Sequence, residues 1–322
     1  MKQIIPLNPV DYQRHLIHGE NRIWTETNCY VDALVELLHS MGCEPMAALP
    51  FTLGIDFEGD QWTFFKFPHA DLFALYGLEI QELAIWRELT RHIEQQIENG
   101  HPVLVELDSY FLPDTAGNAY QLAHVKSSIV ANEIDIDRQH LGYFHNQAYF
   151  HLGGSDFTNI FQMDGIVHPR MLPPYVEFFK KKERQNRSLL EVSLELLKKH
   201  LSLIPLKNPF LSFKEKLSQD TLWLATAEME IFHIYSFANL RQYGACFELS
   251  ATYLTWLMDQ GVNPAGLSDA KNAFLEISNM AKLFQFKLAR AMSRRRPLEL
   301  DAMDTMAHLW DKAMQSLSVM AK

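Results

Sequence analysis

Cysteine is scarce. The chain has three in 322 residues, Cys29, Cys43 and Cys246, and no Cys-x-x-Cys pair. That excludes a disulfide framework and a zinc knuckle. It suits a reducing cytoplasm, where a thiol stays available to react. No apolar run is long enough to span a bilayer. The opening Met1-Lys2-Gln3-Ile4-Ile5-Pro6 lacks a signal-peptide apolar core, so a cytoplasmic protein with no membrane partner is expected. Basic residues are outnumbered, 29 Lys and Arg against 39 Asp and Glu, for a formal net charge of −10. That balance argues against nucleic acid as the main partner. Internal repeats and low-complexity segments are also missing. What remains is 48% hydrophobic and 21% charged, enough for a sizeable core in one large domain or two ordinary ones.

The most informative stretch runs from Thr25 to Gly42. Tyr30, Leu34, Leu37, Leu38 and Met41 recur at helical spacing. Thr27 and Asn28 suit an N-cap, and Gly42 suits a stop. Cys29 then falls in the first turn, where unpaired N–H groups and the positive helix end favour a thiolate and can hold an oxyanion. A lone cysteine is more often a small buried apolar side chain. The catalytic reading therefore needs a histidine and an orienting polar group downstream.

Residues 1–24 read as an extended lead-in. Trp62–Phe67 reads as a strand, preceded by Asp56, Glu58 and Asp60 at period two. A metal reading of those acids is set aside, because hard cations need more oxygen ligands. Pro68–Tyr76 and 82–98 read as helices, and Pro102–Asp108 as a buried strand. Pro113–Asn118 has turn composition. His124–Ala131, His140–His145 and Ala148–Leu152 read as further strands, the last two meeting at Asn146-Gln147. Pro169, Pro173 and Pro174 mark a break. From about Leu189 the pattern is helical, over Thr221–Tyr243, Ala245–Gln260, Leu267–Arg296 and Pro297–Met320. Helix first and strands after, in blocks, is an α+β pattern. The division is placed at 1–165 and 166–322.

A cysteine nucleophile needs a base, and the base needs a group that fixes its tautomer. The N-terminal half offers Cys29, then His124, then Asn146, with Asp108 and His145 competing for the third role. The order is that of a papain-like site. A three-histidine zinc site from His124, His145 and His151 is set aside because no carboxylate support is evident, and no metal is expected.

The segments Asn28–Leu34, Asp56–Lys66, Leu112–Thr115, His124–Lys126 and Tyr143–Asn146 resemble the bacterial domain-of-unknown-function family 1839 over nearly the whole chain. More distantly the layout is similar to the butirosin-biosynthesis acyltransferases. Those join a papain-like domain to a helical region, and move an acyl group from a carrier protein's phosphopantetheine thioester to an amine. The resemblance implies Cys29 as nucleophile, His124 as base, and Asp108 and Pro113 in the segment between them. Asn146 aligns with a late polar residue that is commonly aspartate in those enzymes, and Gln121-Leu122-Ala123 replaces their glycines before the histidine.

The expectation is therefore a papain-like α+β domain followed by an all-helical region. Its activity would be thiol-dependent acyl or aminoacyl transfer from a carrier protein to a small amine, with no bound cofactor. Asn28 would assist the oxyanion, and Asp56, Glu58, Asp60, Trp62 and His145 would line the acceptor site. Lys180–Arg187 and Arg294–Arg296 read as solvated faces or as docking cations for an acidic carrier. The alternatives are a cysteine amidase or peptidase using the same residues, and a non-enzymatic scaffold. Monomer and homodimer both stay open.

Overall fold

The computed structural model describes residues 2–26, 28–163, 165, 174–183 and 186–320. In chain order the N-terminal part runs β1 (Lys2–Gln3), α1 (Cys29–Ser40), a 3₁₀ stretch (Pro45–Gly54), α2 (His69–Tyr76), β2 (Leu78–Glu82), α3 (Leu89–Glu98) and β3 (Val103–Asp108). It continues with β4 (Lys126–Asp135), β5 (His140–His145), β6 (Ala148–Gly153), α4 (Gly154–Ile160) and β7 (Val176–Lys181). Six helices follow: α5 (Leu189–Leu201), α6 (Pro209–Leu224), α7 (Met229–Ser236), α8 (Gln242–Asp259), α9 (Leu267–Arg294) and α10 (Asp301–Leu317). The fold is α+β, an antiparallel sheet with a helical C-terminal region. Among the described residues no helix is long and apolar enough to cross a membrane.

The chain forms two compact units that interleave in sequence. One comprises Met1–Gly19, Asn28–Pro45 and His69–Gln185; the other comprises Glu20–Thr27, Met46–Pro68 and Asn186–Lys322. The division expected at 165/166 is thus corrected twice. β7 closes into the sheet beyond the expected cut, and two early segments pack with the late helices.

In the first unit the strand order is β2-β7-β3-β4-β5-β6, with β1 on β4, all antiparallel. Facing partners in such pairs share a sheet face. One face is apolar: Val103, Val105, Ile129, Ala131, Tyr143 and Phe178 pack with Ile93 and Ile97 of α3 and Phe157 and Ile160 of α4. On the other face stand Glu106 opposite Ser128, Asp108 opposite Lys126, and Leu104 opposite both Val130 and Glu177. Tyr30 of α1 bonds Glu177, so α1 lies on this second face.

α1 is buried from Tyr30 to Leu38, its two acids included. Asp32 and Glu36 lie one turn apart, and His18 faces both, Nε2 at 3.1 Å from Asp32 and Nδ1 against Glu36. Glu36 also accepts from the Tyr12 hydroxyl at 2.5 Å and from the His15 N–H. Buried carboxylates need such partners, and these tie the lead-in segment to the helix.

The helix expected over 82–98 starts only at Leu89. Leu78–Glu82 instead alternates and pairs with β7, and Trp86 is exposed. The strand expected at Trp62–Phe67 reduces to a single bridge, Phe57 to Trp62. In the second unit Trp62 is the centre of an aromatic cluster, its ring 4.9 Å from Phe210 and 4.8 Å from Tyr243. Thr221–Tyr243 is not one helix, since α6 ends at Leu224 and α7 begins at Met229. Conversely, α8 runs straight through Gly244. A Cβ there would lie 2.5 Å from the buried Trp24 ring, so the glycine serves close packing rather than a break. Pro169 and Pro173 lie outside the described residues.

Candidate active site

Cys29 is the first residue of α1, and Asn28 is its cap. The Asn28 side chain accepts from the Val31 N–H at 3.2 Å, and its own backbone N–H donates to Asp32 at 3.3 Å. Thr27, the other expected cap, lies outside the described residues. Cys29 is half-buried. Its Sγ accepts from the Ser128 N–H at 3.3 Å, which brings the helix start against the head of β4. A backbone N–H aimed at sulfur, together with the helix N-terminus, is the environment an anionic sulfur or a developing oxyanion requires.

His124 precedes β4 by two residues. Its Nδ1 donates to Asp108 Oδ2 at 2.6 Å, which leaves Nε2 as the basic nitrogen. The ring stacks on Tyr110 at 4.4 Å and 10° and stays two-thirds exposed. Asp108 ends β3, and its Oδ1 caps the Tyr110 N–H at 3.0 Å, so one carboxylate holds both the imidazole and the ring beneath it. Cys29 and Asp108 belong to the same sheet face. The hydrogen-bond partner of Sγ is Ser128, not the His124 ring.

Of the competing third residues, Asp108 is the one at the imidazole. Asn146 has a positive φ of 49° and turns the β5–β6 hairpin, a role asparagine fills because it tolerates the left-handed region. His145 is buried on the apolar face. Its Nδ1 donates to Asp114 Oδ2 at 2.5 Å, and its Nε2 accepts from the Ser127 hydroxyl at 2.6 Å. Asp114 also accepts from Tyr143 at 2.6 Å. His145 therefore lines no open acceptor site. Ser127, His145 and Asp114 repeat the order of a serine triad, but His145 and Asp114 are about 1–2% exposed. This network anchors the turn between Asp108 and His124. The sequence reading missed it, although Leu112–Thr115 and Tyr143–Asn146 both stood out as segments.

Trp62 is 1% exposed in the second unit, so it is core and lines no acceptor site. Asp56, Glu58 and Asp60 belong to that unit as well, whereas Cys29 belongs to the first. Asp56 accepts from its neighbour Phe57 and Glu58 from Thr63; burial holds the Asp56 carboxyl above its usual range, with the Phe57 N–H opposing and Glu58 adding.

A buried carboxylate missed in the sequence, Glu177, sits under α1. Burial pushes it up, but hydrogen bonds from His69, Tyr175 and Tyr30 outweigh this and hold it below the usual carboxylate range. The distances are 3.2 Å to His69, 2.6 Å to Tyr175 and 3.1 Å to Tyr30. The histidines once considered together as zinc ligands are dispersed: His124 on Asp108, His145 on Asp114, and His151 beside Glu133 and His140.

Residues 13–181 match the DUF1839 N-terminal domain, and residues 186–319 match the DUF1839 C-terminal domain. The chain belongs to the DUF1839 family. No curated protein matches it. Within this DUF1839 chain the two matched regions meet between Lys181 and Asn186, near where the chain finally passes from the sheet unit to the helical one.

The basic residues considered for docking are partly engaged. Lys180 donates to Gln81, Lys181 to the Tyr76 carbonyl, and Arg187 to Glu191 and Glu195. Arg184 lies outside the described residues. Arg294 and Arg296 instead line a cleft of about 320 Å³ with Lys287 and Arg290.

Proposed function

We propose that the first unit is a papain-like domain carrying out thiol-dependent acyl transfer through Cys29. The observation that carries this is one sheet face bearing both a half-buried cysteine at a helix start and a histidine whose Nδ1 is fixed by a carboxylate. His124 takes the thiol proton. The Cys29 sulfur attacks the carbonyl carbon of a thioester, and the negative oxygen is met by N–H groups at the start of α1. The carrier's phosphopantetheine thiolate leaves and takes the proton from His124. An amine then attacks the Cys29 thioester and loses its proton to His124, and the free thiol returns. Exchange of one thioester for another is nearly balanced, so cysteine is a suitable first acceptor. Sγ bonds Ser128 rather than His124, so this reading requires the imidazole to meet the sulfur in the substrate complex, where catalytic hydrogen bonds often tighten. The basic cleft around Lys287 and Arg290 suits an acidic carrier.

The test is the pH dependence of Cys29 alkylation in wild type, His124→Ala, Asp108→Asn and Ser127→Ala, followed by acylation with carrier thioesters. The expected result is rapid alkylation well below the free-thiol pKa of about 8.5, slowed in His124→Ala and Asp108→Asn but not in Ser127→Ala. An ordinary thiol in wild type overturns the proposal. An activated thiol whose acyl-enzyme is discharged only by water favours a hydrolase with the same residues.

A further inference from the structure

Three adjacent strands bring one carboxylate and two imidazoles together away from Cys29. Glu133 on β4, Gly142 on β5 and His151 on β6 lie directly opposite one another in register. His140, two residues before Gly142, shares their face. Gly142 contributes no side chain, so Glu133 and His151 reach across it. A Cβ at Gly142 would come within 2.9 Å of Glu133 Oε2 and 2.1 Å of the Tyr149 hydroxyl. Glu133 Oε1 is 3.1 Å from His140 Nε2, and Oε2 is 3.8 Å from His151 Nε2. One ligand atom from each residue lies within 4.8 Å of the others.

We propose that Glu133, His140 and His151 bind one divalent transition-metal ion of the zinc class. Two imidazoles and a carboxylate are a recurrent donor set for such ions, and bonds of about 2.0–2.1 Å place tetrahedral donors roughly 3.3 Å apart. The donor atoms, now within 4.8 Å of one another, reach that spacing by closing up to about 1.5 Å. The carboxylate is supported from behind. Tyr149 donates to Glu133 at 3.3 Å, and Asn132 donates to Tyr149 at 3.2 Å, the kind of outer contact that orients a metal-bound carboxylate. Glu133 is buried, whereas the His151 side chain is 40% exposed. The open side leaves a coordination position for water or a small anionic ligand. The alternative is a buried glutamate hydrogen-bonded by His140, with His151 beside it at 3.8 Å, and no affinity for metal.

The deciding experiment is equilibrium dialysis of the chelator-treated full chain against zinc, with its thiols alkylated to remove cysteine binding. Cobalt serves as the spectroscopic probe. One equivalent of zinc is expected, with the visible bands of tetrahedral cobalt lacking any thiolate charge-transfer band. His151→Gln changes a half-exposed side chain and keeps the fold, which circular dichroism checks. It should weaken binding by more than the roughly 10–100-fold that an outer-shell partner is worth. Tyr149→Phe should weaken it within that range. Absence of stoichiometric zinc, or zinc bound equally well by wild type and His151→Gln, overturns the proposal.

Discussion

Replacing His18 with leucine tests how the start of α1 is held. The imidazole has a nitrogen on each of two buried carboxylates, Asp32 and Glu36, and all three side chains are at most 1% exposed. Leucine fills a similar volume but removes the polar bridge between the two carboxylates. Glu36 keeps the Tyr12 hydroxyl and the His15 N–H, and Asp32 keeps the Asn28 N–H. Breaking a buried pair by deleting one partner costs about 3–5 kcal/mol. The surviving donors place this case near the lower end, about 3 kcal/mol. At about 1.4 kcal/mol per factor of ten, hydrogen exchange of the Cys29–Ser40 amides should speed up by roughly two orders of magnitude. Adding Asp32→Asn and Glu36→Gln removes the stranded charges and should restore much of that protection. Acceleration below tenfold in His18→Leu, or no recovery in the triple variant, would refute the reasoning.

Gly244→Ala gains about 1 kcal/mol of helix propensity but drives a methyl into the Trp24 ring. Overpacking of about 1–3 kcal/mol should win, so the chain should melt lower; a higher melting temperature would contradict the packing account. Tyr143→Phe strips a donor from buried Asp114, at a cost of about 1.5–3 kcal/mol for a bond to a charged group. Exchange should rise over residues 109–124, and unchanged exchange there would show that this network does not anchor the turn. Glu177 has a lowered folded pKa, so its stabilisation is complete above the ordinary carboxylate range and drains away as pH falls through the folded value. Urea stability from pH 6 to 3 should therefore fall more steeply in wild type than in Glu177→Gln; parallel slopes would exclude that role.

Local signals were legible where local physics decides. Asn28 ahead of an apolar stripe gives α1 and its cap, and Asn146-Gln147 between two alternating runs gives the β5–β6 hairpin. The Asp108–His124 pair was within reach, because strand end and strand start are joined by one loop. What stayed hidden depends on distant partners. β7 is six residues whose neighbours β2 and β3 lie about 70 to 100 positions upstream, and its lysines resemble a solvated run. Trp62, expected with its neighbouring acids to line an acceptor site, packs instead against Phe210 and Tyr243. Glu133, His140 and His151 converge only through the register of three strands, and no spacing in the chain announces that.

The interleaving of the two units bears on how the chain is made. Trp24 and Trp62 leave the ribosome early, but Gly244 and Phe210, which they pack against, are encoded about 220 and 150 residues later. At roughly 5–20 residues per second, Trp62 waits on the order of 7 to 30 s for its partners. Meanwhile the sheet between them can fold. The second unit is therefore the last to close, and the first passes through a stage in which aromatic segments at both ends of α1 lack their final cover. That interval is when a chaperone would have most to hold.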